Sequence, residues 1–167
     1  MGLFQPHGGH RGRARKGTVT KKARIPDETT ARARAVVVHT LEHAEAALEA
    51  ADEFDVPVVL ESAPGAARYL GAALFQAIVA TAQSSYPSVN FMAVLDCADQ
   101  PGLALAALRQ GIKAVRVDAP ADVKAKIADI AAQSGAILDD AERERLDLLG
   151  VEDAVAACQA WLSGQTQ

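Results

Sequence analysis

The sequence predicts an α/β domain built on a parallel sheet. Short apolar runs rich in β-branched residues alternate with longer stretches of helical period, and each short run is apolar throughout. Helices cover both faces of a parallel sheet, so unbroken apolar strands fit it better than a half-solvated antiparallel one. Alanine supplies 36 of the 167 residues, and small side chains let helices lie close to such a sheet.

The first strand is expected over 36–38, ending at His39 and Thr40, before a helix over 41–54 with Leu41, Ala44, Leu48 and Ala51 on one face. A second strand over 56–60 closes at Glu61 and Ser62. Behind Pro64 and Gly65 a helical pattern sets Leu70, Leu74, Ala77, Ile78 and Thr81 in register. After Pro87, a third strand over 89–95 ends at Asp96 and Cys97. Asp99 and Pro101 open a helix that Gly111 stops. The fourth strand, over 112–117, ends at Asp118, and a helix from Pro120 to Gly135 turns Val123, Ile127 and Ile130 to one side. A brief fifth strand over 136–138 reaches Asp139 and Asp140, and the remainder reads as helix over 141–149 and 151–162. Five strands with helical crossovers result. Periodicity leaves two forms open, a barrel segment and an open doubly wound sheet.

Charge divides the chain at residue 34. Residues 1–34 hold nine Lys/Arg against Asp27 and Glu28, whereas residues 35–167 hold eight against nineteen acids, behind a net charge of −4. The first segment has glycines and no apolar period, so it reads as a basic flexible arm, with the α/β domain over 35–167. Arg11, Arg13, Arg15, Lys16, Lys21, Lys22 and Arg24 fit nucleic acid or an acidic partner through charge alone, while His7 and His10 read as solvated. The arm lacks an apolar secretion core, no run is long enough to span a membrane, and Cys97 and Cys158 form no disulfide framework. A cytoplasmic location with no membrane partner is the expectation.

Polar side chains gather where the strands end: His39, Ser62, Asp96, Cys97, Asp118, Asp139 and Asp140. In α/β folds ligands sit at those ends. Arg116 and Asp118 share a sheet face, and an arginine inside a strand needs a partner or water, because burying an unpaired guanidinium is prohibitive. The plain alternative is that strand-end acids cap the helices that follow.

Val37-Val38-His39-Thr40-Leu41-Glu42 and the segment from Pro57 to Gly71 are followed in order by Ala93-Val94-Leu95-Asp96 and Ala114-Val115-Arg116-Val117-Asp118. Over these segments the chain resembles the class II (metal-dependent) ketose-bisphosphate aldolases. The resemblance implies a partial, TIM-barrel-like fold truncated to about the first five of eight βα units. Asp96 would match the acid/base aspartate, and Ser62 a serine near the substrate phosphate. Asp139 or Asp140 would match the acidic end of the fifth unit. At the zinc-ligand position after that aspartate the family has histidine, and this chain has Cys97, a weak metal candidate. No histidine follows His43 to supply the family's further ligands.

Aldol cleavage needs a metal or an iminium to stabilise the enediolate. Lys113, Lys124 and Lys126 lie away from the strand ends, so no Schiff-base lysine is expected. The expectation is therefore an aldolase-like pseudoenzyme with no resident cofactor, zinc being the alternative. It would bind a small phosphorylated or carboxylated ligand through Ser62, Arg116, Asp118 and His39. Two other readings stand beside it: a lyase or isomerase using Asp96 as acid/base, and an interaction protein using its arm on nucleic acid or an acidic partner. Five units would leave sheet edges and an inner face exposed, which favours a homo-oligomer, a dimer burying the inner faces.

Overall fold

The computed structural model describes residues 27–164. A short helix, α1 (Glu28–Ala31), precedes β1 (Ala35–Val38), α2 (Leu41–Phe54) and β2 (Val58–Ser62). Then come α3 (Ala66–Tyr69), α4 (Ala72–Ser85), β3 (Phe91–Asp96), α5 (Pro101–Arg109) and β4 (Ala114–Arg116). The chain continues through α6 (Ala121–Gln133), β5 (Ile137–Leu138), β6 (Arg145–Asp147) and α7 (Ala154–Ser163).

All strands pair in parallel in one open sheet, ordered β5-β4-β3-β2-β1-β6. From β1 to β5 the order never reverses, as repeated crossovers in one sense require. The crossover helices therefore share one face. There Val36, Leu60, Leu95 and Val115 pack with Leu48, Phe75, Leu108, Ile127 and Leu162. Local signals set the helix ends. The Thr40 hydroxyl accepts from the His43 amide at 3.3 Å to cap α2, and Asp153 caps α7 through the Ala156 amide at 2.9 Å. Gly111 follows α5 with φ +95°, a backbone that only glycine adopts freely.

One stretch corrects the sequence reading. No helix forms over 141–149; β6 lies there and pairs with β1, extended by Ala35 N–H to Glu144 O at 3.1 Å and Leu148 N–H to Val37 O at 3.2 Å. The reason is a period of two: Leu146 and Leu148 turn to the helix-side core while Arg145 and Asp147 turn the other way. The sheet thus has six strands, one more than the periodicity predicts. Residues 27–34, expected as part of the arm, also fold. Asp27 caps α1 through the Thr30 amide at 2.8 Å, and Thr30 and Ala33 are buried. The arm residues 1–26 lie outside the described residues.

The inner face is covered by the chain itself. Ala33, Ala35, Val59, Met92, Val94 and Ala114 form a small apolar layer there, with Ile137 against it. β5 and β6 occupy opposite edges of the sheet, so residues 139–144 must cross from one to the other. Arg143, on this crossing, has only 3% of its side chain exposed and donates to Ala31 O at 2.9 Å. The inner face needs no second subunit to bury it. No helix among the described residues is long and apolar enough to cross a membrane.

Candidate functional site

Three groups of polar side chains stand at or below the strand ends. The first joins β2 to β3. Asp96 Oδ1 accepts from Gly65 N–H at 2.7 Å and from Ala98 N–H at 2.8 Å. The Asp96 amide donates to Ser62 Oγ at 2.9 Å, and that hydroxyl donates to Ala63 O at 3.2 Å. Two residues in left-handed backbone shape the contact, Gly65 at φ +69° and Ala98 at φ +48°. The alanine is strained in this conformation. Ser62 is buried, and the second oxygen of Asp96 has no protein partner among the described residues.

Cys97 points the other way. It is buried in the helix-side core, its Sγ 3.7 Å from Leu95 O, and burial, then the nearby Asp96 charge, push the thiol up to about 12. A zinc ligand must be a thiolate, so this sulfur is a core hydrophobe. Alternation along β3 places it on the opposite face of the sheet from Asp96. Among the described residues no group of three or more His, Cys, Asp and Glu side chains is placed to hold a metal ion. The donors among the described residues do not fit zinc.

The second group fills the inner face with charge. Arg116 Nη1 donates to Glu61 Oε2 at 3.1 Å across the intervening β3, and Nη2 donates to Asp139. Arg143 donates to Glu61 at 2.8 Å and to Asp139 at 2.6 Å, and Arg145 donates to Glu61. Glu61 and Asp139 are buried. Burial alone would lower the Arg143 pKa, but hydrogen bonds and charge from Asp139 and Glu61 outweigh it and hold the group above its ordinary value. Arg116 therefore has its partners. Asp118, two residues on, is exposed; its amide donates to Ala98 O at 2.7 Å, and its carboxylate has no partner among the described residues.

The third group lies past β1. His39 Nε2 pairs with Asp147 Oδ1 at 2.7 Å, and the same oxygen accepts from Leu149 N–H at 2.9 Å. The His43 ring meets His39 edge-on at 5.9 Å, and its Nδ1 accepts the His39 amide at 3.3 Å. Burial opposes ionisation of Asp147, yet the Leu149 amide and His39 hold its carboxyl below the usual range. Burial and the neighbouring His39 lower His43.

The structure thus joins Ser62 to Asp96 and leaves His39 on the far side of β2 from Asp96. Sequence reasoning missed Arg143, Arg145 and Asp147 as site residues, because all three fell in the expected helix over 141–149. The signal was short: only Arg145 and Asp147 alternate with Leu146 and Leu148, and Glu142 and Glu144 flank Arg143.

Residues 23–135 match the family model described as fructose-bisphosphate aldolase class-II. This chain belongs to the class II fructose-bisphosphate aldolase family. The plasmid fructose-bisphosphate aldolase of Cupriavidus necator is 33% identical to it over 81 residues, covering 48% of this chain and 24% of that protein. The class 2 fructose-bisphosphate aldolase of Synechocystis is 30% identical over 89 residues, 53% of this chain and 25% of that one. This aldolase-family chain is thus matched to about a quarter of the length of these curated relatives. A solved structure described as a fructose-1,6-bisphosphate aldolase from Coccidioides immitis superposes with a TM-score of 0.52 at 21% identity. It covers 64% of this chain and 44% of that one. That likeness supports the partial-barrel fold of this class II aldolase relative.

Proposed function

We propose that this aldolase-family chain is a binding module that takes up a small phosphorylated or carboxylated molecule at its strand ends and performs no aldol cleavage. One observation carries the reading: the residues at family-like positions serve the fold. Asp96 holds two backbone amides, Ser62 is buried with its hydroxyl engaged, and Cys97 sits in the core. The iminium route is equally unsupported, since Lys113 donates to Ser134 O and Lys124 pairs with Asp140, both away from Asp96. The ligand class follows from charge. Three guanidinium groups, Arg116, Arg143 and Arg145, meet two carboxylates on the inner face, and Arg145 keeps a third of its side chain exposed. A guanidinium left partly exposed at the rim of a desolvated cluster favours an anion.

The test pairs a cleavage assay with a binding assay. Fructose 1,6-bisphosphate with added zinc is expected to give no cleavage above background. Inorganic phosphate or the same sugar bisphosphate is expected to raise the melting temperature saturably, an effect lost in Arg145→Gln. Zinc-dependent cleavage abolished by Asp96→Asn would overturn the proposal and support a second reading, a lyase or isomerase with Asp96 as acid/base. The unpartnered second oxygen of Asp96 favours that reading, because it is the atom able to move a proton.

A further inference from the structure

We propose that a cavity where β1 and β6 begin is a binding site for a small zwitterion, one that carries a carboxylate and an ammonium group as a free α-amino acid does. Residues 32–34 lead into β1 and residues 142–144 into the parallel β6, and between them lies a cavity of about 360 Å³. That volume stands at the small end of ligand pockets, which run roughly 300–1,000 Å³. The cavity lies at the opposite end of these strands from His39 and Asp147, so it is separate from the strand-end groups.

Arg143 supplies the observation that points to a ligand. Asp139 takes one hydrogen from each Nη atom, at 2.9 Å and 2.6 Å. The remaining Nη1 hydrogen goes to Glu61 Oε1 at 2.8 Å, and the remaining Nη2 hydrogen to Ala31 O at 2.9 Å. In a planar guanidinium this last hydrogen lies alongside Nε–H. Nε–H therefore faces the backbone that runs from Ala31 to Ala33, which forms one wall of the cavity. Nε is buried and has no partner among the described residues. A buried donor without an acceptor is costly, and a carboxylate oxygen placed against it relieves that cost.

The other charges of the cavity decide what the rest of the ligand must be. Arg34 and Glu144 are engaged. Arg34 Nη1 donates to Trp161 O at 2.6 Å, its guanidinium lies 4.8 Å from the Trp161 ring centroid, and its Nε is 3.5 Å from the Glu144 carboxylate. Arg32 and Glu142 are exposed at the rim, and neither side chain has a partner among the described residues. A doubly charged anion such as phosphate would gain Arg32 but lie against Glu142 and Glu144. A zwitterion suits both signs: its carboxylate joins Arg143 Nε–H and Arg32, and its ammonium joins Glu142.

Two-dimensional amide NMR of the full chain tests this, with the common L-amino acids added one at a time at millimolar concentration. At least one is expected to bind saturably and to shift the amides of Ala33, Glu144 and Gly164, leaving those of Gly65 and Ala98 in place. Its deaminated and decarboxylated analogues, which keep only the carboxylate or only the amine, should bind about tenfold more weakly. Arg32→Gln and Glu142→Gln should each weaken binding about fivefold with an unchanged far-UV dichroism spectrum, since both side chains are exposed. Arg143→Lys keeps a charge for Glu61 and Asp139 but removes Nε–H, and should abolish binding in a chain that still folds; should it not fold, the two rim variants carry the test. Absence of saturable shifts with every amino acid overturns the proposal. So do shifts centred on Gly65 and Ala98, an affinity unchanged in both rim variants, or a deaminated analogue that binds as tightly as the amino acid, which would mark a simple anion site.

Discussion

On the helix-covered face of the sheet, Val36, Leu60, Leu95 and Val115 pack against apolar side chains contributed by six helices. On the inner face, Glu61, Arg116, Asp139, Arg143 and Arg145 close over a thin layer of small apolar residues. The first face is stabilised by area removed from water, a non-directional effect, and tolerates volume-conserving changes of side chain. The second depends on complete pairing. Removing one partner strands a desolvated charge, and the cost exceeds what the pair contributed when intact. The same sheet is therefore robust on one side and brittle on the other.

The sharpest way to break this contrast is Arg143→Ala. It leaves Glu61 and Asp139 buried with fewer donors, and a loss of about 3–5 kcal/mol is expected in urea unfolding. Leu60→Ala on the opposite face of β2 should cost about 2–5 kcal/mol, falling toward the lower figure if the alanine-rich helices settle into the gap. An Arg143 variant losing less than the Leu60 variant would mean water reaches the charged cluster and the inner face is not brittle.

A smaller effect is expected at the loop contact. Asp96→Ala should cost about 1–3 kcal/mol by leaving the Gly65 and Ala98 amides unpaired, whereas Asp96→Asn keeps an accepting oxygen and should retain most of the stability. Equal losses in both variants would show that the charge matters there, and not the geometry.

The smallest effect is a pH dependence at the third group. His43 titrates below its ordinary 6.5, so the unfolded chain binds its proton more readily than the folded one. Its contribution is fully present above pH 6.5 and is lost as pH falls through the lowered value. Asp147, also depressed, adds a second loss of the same sign below its ordinary 3.8. His43→Gln should flatten the upper part of that decline when unfolding is followed from pH 7 to 5.

The two faces also differ in how far the sequence discloses them. The helix-covered face is written locally: apolar runs at 58–60 and 92–95, the 3.6-residue period of α2, and stops such as Gly111 each act within one element. The family was legible too, because its signal lies in the order of those elements and their strand-end residues. The inner face was not. Arg116 was identified as needing a partner, but Glu61 lies two strands away, Asp139 meets it only through the pairing of β5 with β4, and Arg143 joins the cluster only once the chain has crossed the sheet. No local period records such pairing. β6 was lost to a helical reading because three strand residues give too short an alternation to outweigh the helix formers around them. At the strand ends, Asp96 was legible as a residue of note. Its two backbone partners were not, since they depend on left-handed conformations at Gly65 and Ala98.

Those partners carry a reciprocal linkage. Any molecule that claims Asp96 Oδ1 must first take it from two amides, one in the loop after β2 and one in the loop after β3. Both loops are then released in a single event, and Ala98 is free to leave its strained backbone. By the same thermodynamic symmetry, whatever stiffens either loop weakens the competitor for the carboxylate. Occupancy of Asp96 Oδ1 and the order of two separate loops are thus one variable, read from two sides.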